Sequence, residues 1–103
     1  MHRRIVWIDP TDAAVATPQR LDARGAEKVV VLATGLATSE VFTFFAYDAE
    51  ADDWQALYDD TGAALQLTAT DTAMTLEGGL IYGATKSASA GDAGLEANLR
   101  RGS

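Results

Sequence analysis

Apolar residues in this chain recur mostly at every second position, in short runs closed by Gly, Pro or Asp, and helical spacing is almost absent. Residues 28–33, with three consecutive valines, predict a strand, because β-branched side chains lose little freedom when extended and pack well on a pleated surface. Residues 41–47 predict another, with Val41, Thr43, Phe45 and Tyr47 on one face and Phe42, Phe44 and Ala46 on the other. Both faces are substantially apolar, so one meets the core and the other needs cover. Shorter alternations follow: Trp54, Ala56 and Tyr58; Leu65 and Leu67; Met74 and Leu76; Leu80, Tyr82 and Ala84; Leu95, Ala97 and Leu99. Residues 5–8 form a β-prone run closed by Asp9 and Pro10.

Turn chemistry separates these runs. Asp59-Asp60-Thr61-Gly62 supplies carboxylates for local amides and a glycine for positive φ, Thr70-Asp71 turns the chain, and Gly78-Gly79 predicts a hairpin-type turn. Residues 11–18, rich in Ala and Thr, read as a loop or irregular arm, with a short helix over 12–16 as the alternative. Residues 87–94 read as a loop and 100–103 as a solvated tail. The pattern predicts one all-β domain: an antiparallel β-sandwich or jelly-roll-like barrel of about seven or eight short strands. Within it, residues 1–26 form an N-terminal strand and irregular arm, 27–99 the sandwich body and 100–103 the tail.

Composition narrows the function. With 103 residues and no cysteine there is no disulfide, thiolate nucleophile or zinc–thiolate site, and a domain without such staples gains from packing against copies or partners. The opening apolar run is too short for a signal peptide, and no stretch approaches the roughly 20 residues of a membrane span. Charge is segregated along the chain. Residues 29–85 hold no lysine or arginine and nine carboxylates, a net −9, while the flanks hold eight bases against six acids, a net +2. A total of −7 disfavours nucleic acid as a partner.

Candidate chemistry is sparse. The only histidine, His2, stands in a terminal segment, unsuited to a triad or metal cluster that needs a rigid second shell. Asp48, Glu50 and Asp52 have the spacing of the first ligands of a calcium loop, but the sixth position is Asp53 where glycine is required, so a solvated acidic loop is expected. Carboxylate pairs for glycoside hydrolysis would occur by chance among so many acids. The double glycines lack the lysine and hydroxyl of a phosphate loop. No catalytic, cofactor-binding or metal residue is therefore expected, and the chain reads as a non-enzyme. Phe42, Phe44, Phe45, Tyr47, Trp54, Tyr58 and Tyr82 are either core or a stacking platform for sugars. Arg3, Arg4, Arg100 and Arg101, with Trp7, are the expected contacts to an acidic partner surface. Residues 29–85 also lack the lysine or proline that guards exposed sheet edges. A homo-oligomer, with a trimer favoured, is expected to bury Val41, Thr43, Phe45 and Tyr47 between subunits.

The succession Asp53-Trp54-Gln55-Ala56-Leu57-Tyr58, Asp59-Asp60-Thr61-Gly62, Leu65-Gln66-Leu67-Thr68-Ala69-Thr70, Met74-Thr75-Leu76, Gly78-Gly79-Leu80-Ile81-Tyr82-Gly83 and Lys86-Ser87, within residues 41–94, resembles the small virion structural proteins of tailed bacteriophages. Head decoration (cement) proteins and head-fibre bases are the members meant. The resemblance carries over no catalyst. It implies a many-copy β domain that binds the assembled head, with the major capsid protein or another virion protein as partner. It also implies a place on the capsid exterior after assembly in the bacterial cytoplasm. The alternative is a carbohydrate- or receptor-binding β-sandwich of a head fibre or tail.

Overall fold

The computed structural model describes residues 2–10, 14–37, 40–87 and 93–101. Nine strands account for most of them: β1 His2–Ile8, β2 Val15–Asp22, β3 Lys28–Thr34, β4 Phe42–Asp48, β5 Asp53–Ala56, β6 Gln66–Leu67, β7 Ala73–Glu77, β8 Ile81–Lys86 and β9 Gly94–Arg100. No helix occurs among the described residues. The strands form two antiparallel sheets, ordered β1-β9-β3-β7 and β2-β8-β4-β5, with β6 also pairing β4. From β1 to β9 the chain changes sheet at every step except through β4, β5 and β6. The expected β-sandwich is the observed architecture, and its radius of gyration, 13.1 Å, is that of one compact domain of this length.

The alternating residues form the core. Val29, Val31 and Ala33 of β3 face inward beside Leu95 and Ala97 of β9, and Phe42 and Phe44 of β4 meet them from the opposite sheet with Leu67, Tyr82 and Ala84. Phe42, Phe44, Leu67, Val29 and Val31 are fully buried, each contributing about 1.5–3 kcal/mol relative to exposure. Among the described residues every buried side-chain nitrogen and oxygen has a hydrogen-bond partner. That includes Glu40, whose carboxylate accepts the Ala37 amide at 2.7 Å, and Lys86, whose Nζ lies 3.5 Å from the Pro10 carbonyl.

Three expectations change. Residues 15–18 are not an arm: they begin β2, which pairs β8 along the edge of the second sheet. Only Leu21 in β2 is buried, and Pro18, having no N–H, is tolerated there because an edge strand leaves one side unpaired. Residues 11–13, in the proposed 12–16 helix, lie outside the described residues, as do 88–92 of the expected loop and 102–103 of the tail. The Gly78-Gly79 turn does not make a hairpin, for β7 and β8 belong to different sheets. Gly78 packs against the 23–27 turn so closely that a Cβ would lie 1.7 Å from the Ala26 carbonyl oxygen, its amide donates to the Glu27 carbonyl, and Gly79 takes φ +89°. Tyr58 is 66% exposed, beyond the end of β5 in an isolated bridge to Ala64. The expected turn at Asp59 is present: its Oδ1 accepts the Thr61 and Ala63 amides at 2.9 and 3.1 Å, and Gly62 takes φ +85°.

Candidate functional site

The second face of β4 points away from the core. Strand register places Phe45 opposite Ala56 and Gly83, and Tyr47 opposite Trp54, so Phe45, Tyr47, Trp54 and Gly83 share the outer surface of the second sheet. Arg20 stands opposite Gly83 on β2 and belongs to the same surface. Thr43 and Gln66 continue it, the Gln66 amide donating to the Thr43 hydroxyl at 3.1 Å.

Gly83 is the pivot. A Cβ at this position would come within 2.8 Å of both the Trp54 ring and Pro18 Cβ. Trp54 therefore leans across β4 from the β5 edge, Pro18 leans in from the β2 edge, and the two meet over β8. Covering two strand spacings, roughly 10 Å, takes a long side chain at one edge and a bare floor at the centre. Trp54 also packs on Tyr47, with ring centroids 5.3 Å apart and planes at 67°, and the Arg20 guanidinium lies 5.9 Å from the Tyr47 centroid. Val41, Thr43, Phe45, Tyr47 and Trp54 all remain half-buried. The chain covers this face in part and leaves the rest to solvent.

The acidic hairpin between β4 and β5 is tied to the same surface. The Tyr47 hydroxyl donates to the Asp52 carboxylate, a bond that holds the phenol above its ordinary pKa. Asp52 adopts φ +52°, a left-handed conformation that aspartate tolerates better than most residues. Asp48 accepts the amides of Glu50 and Ala51 at 3.0 and 3.3 Å, and Asp53 that of Trp54 at 2.8 Å. Three of the four carboxylates in this loop thus hold the hairpin in shape. Among the described residues no three His, Asp or Glu side chains gather as metal ligands.

The structure separates the arginines that the sequence grouped. Pairing of β1 with β9 sets Arg3 opposite Leu99 and brings Arg3 and Arg101 to one end of the sandwich. Arg4 lies instead on the outer surface of the first sheet, paired with Glu96, and Arg100 is exposed beside Lys28. Trp7 is 7% exposed, with its ring 5.5 Å from Phe44 and its indole N–H donating to the Gln19 carbonyl at 2.7 Å. It is a core residue that joins the sheets, not a surface contact. Sequence reasoning missed Pro18, Arg20 and Gly83. The signal for Gly83 was present: a lone glycine inside an apolar strand marks a close approach by another group.

No family model matches this chain, and no curated protein matches it. Its fold resembles that in the crystal structure of the SPBc2 prophage-derived protein YomS, with a TM-score of 0.65 over 96% of this chain and 92% of that one, at 16% sequence identity.

Proposed function

We propose that this chain is a non-enzymatic virion structural protein of a phage, a decoration (cement) domain that assembles on the finished head and stabilises contacts between capsid subunits. The observation that carries the reading is the outer face of the second sheet, where Phe45, Tyr47 and Trp54 sit half-buried on regular strands. Large aromatic groups left partly in water on a rigid sheet favour association. A second copy is the occupant proposed for this face, in a trimer seated on the head. Two further facts support the assignment. We read the order β1-β9-β3-β7 facing β2-β8-β4-β5 as jelly-roll-like, an architecture frequent in capsid and lectin domains. The fold likeness to a prophage-derived protein agrees with a phage source.

The test adds purified protein to heads assembled without it and measures co-sedimentation and oligomeric state together. Saturable binding at about 10 μM, with trimers that Phe45→Ser and Trp54→Ala dissociate, is expected. A monomer that leaves heads in the supernatant would overturn the assignment. The receptor-binding alternative draws on the Tyr47–Trp54 pair beside Arg20. The 67° angle between the ring planes gives no flat platform for a sugar, which favours the structural reading.

A further inference from the structure

At the end of the sandwich away from Pro10 lies a cleft of about 690 Å³, formed by β1, the turn after β2 and the end of β9. It is lined by Arg3, Arg24 and Arg101, by one acidic residue, Asp22, and by an apolar patch from Leu99 and Ala26. The size is that of sites that enclose small ligands or peptide side chains. The frame is fixed by backbone bonds: the Glu27 amide donates to the Arg100 carbonyl at 2.8 Å, and the Ala26 and Gly79 amides both donate to the Ala23 carbonyl.

The three arginines differ. Arg24 is committed to Asp22 through two parallel bonds, Nε to Oδ1 at 3.0 Å and Nη2 to Oδ2 at 2.8 Å. Among the described residues the guanidinium groups of Arg3 and Arg101 have no hydrogen-bond or ion-pair partner. Arg101 is drawn inward rather than extended, its Nη2 lying 3.0 Å from where a Cβ on Gly25 would stand. Two arginines with uncommitted five-donor groups thus line a cleft whose third arginine is already satisfied.

Charge selects the ligand. Three arginines against one aspartate give the cleft +2, and the chain's total of −7 then leaves −9 on the rest of the molecule. A long polyanion would be repelled wherever it left the cleft, so the site suits a short, locally acidic group. Asp22 opposes a phosphate dianion more strongly than a single carboxylate. Leu99 and Ala26 offer a wall for the methylenes that carry a carboxylate in a peptide, and the guanidinium fork matches a carboxylate's two oxygens.

We propose that this cleft binds an acidic peptide segment of a protein partner, with a carboxylate held between Arg3 and Arg101. The site is separate from the outer face of the second sheet, and its test does not depend on that face. Fluorescence anisotropy of a labelled Asp-Glu-Asp-Glu peptide, titrated with the full chain at low salt, is expected to give saturable binding that added salt weakens. The corresponding Asn-Gln-Asn-Gln peptide does not bind. Arg3→Gln with Arg101→Gln weakens binding at least about tenfold with no change in the melting transition, and Arg101→Gln alone weakens it less. Asp22→Asn, which removes the opposing charge, tightens it. Absence of saturable binding overturns the proposal, as does a double variant that binds like the parent. So does displacement by inorganic phosphate at the same concentration as unlabelled peptide, which would make the cleft a general anion site.

Discussion

The two sheets share one core and differ on their outer surfaces. The first sheet presents Arg4, Glu96 and Lys28 among scattered aliphatic residues, with Val6 58% and Leu32 37% exposed. Arg4 and Glu96 there form a surface ion pair, an arrangement that contributes little to stability. The second sheet gathers Phe45, Tyr47, Trp54 and Pro18 over the bare backbone of Gly83. Here side chains from both edges reach the centre, so each depends on its neighbours. The second surface therefore carries a coupled cluster of rings, and among the described residues the first carries none. Coupling is what a binding surface needs if it is to keep one shape before its partner arrives.

Mutations can break this contrast. The largest effect is expected from Gly83→Ala, whose methyl group must displace Trp54 and Pro18. Overpacking of this kind costs about 2–3 kcal/mol, read as a lower midpoint in urea unfolding. Trp54→Ala loses a half-buried aromatic and is expected to cost about 1–2 kcal/mol, less than a fully buried one. The double variant tests the coupling itself. With Trp54 gone the added methyl meets Pro18 alone, so the combined loss falls short of the sum by about 1 kcal/mol. Strict additivity would show that the cluster is not coupled. On the first sheet, Val6→Ser, at a side chain 58% exposed on an edge strand, is expected to stay within about 0.5 kcal/mol of the parent.

The smallest effect lies at the rim of the sandwich and sets a baseline for both surfaces. Hydrogen bonds from Arg24 lower the Asp22 carboxyl from 3.8 to about 2. A depressed folded-state pKa gives stability that is present above the unfolded value and lost as pH falls from 3.8 through about 2. A carboxyl-carbon titration by NMR should place the Asp22 midpoint near 2. A midpoint at the ordinary value would mean that the Arg24 fork does not persist in solution.

Much of this architecture was legible because burial on one face writes a period of two into the sequence. Val29, Val31, Leu95, Ala97, Phe42 and Phe44 were readable for that reason. β2 was not, since an edge strand with one buried residue leaves almost no period and its proline argues for a loop. The Gly78-Gly79 turn was recognisable as a turn, but its partner is the distant 23–27 segment, and no local pattern reports that. Of the candidate surfaces, Val41, Thr43, Phe45 and Tyr47 were identifiable as a second apolar face, while the role of Gly83 depends on side chains arriving from both edges. Some of the sheet edges are guarded by means other than lysine or by proline outside residues 29–85. Pro18 guards β2, and β5 and β6 are short strands of four and two residues interrupted by a turn.

The pairing of β1 with β9 also bears on how the molecule forms. Among the described residues β1 has no neighbour in its sheet except β9, so it waits for the ninth strand of this domain before it can be hydrogen-bonded. Until then Ile5 and Ile8, which face the interior in the finished domain, have no completed sheet to enter. Closing the long loop from β1 to β9 is entropically slow, and a fold dominated by such distant pairings gathers its native contacts late. Arrival of β9, which lies between β1 and β3, rather than of any earlier strand, therefore sets the moment at which the first sheet can close.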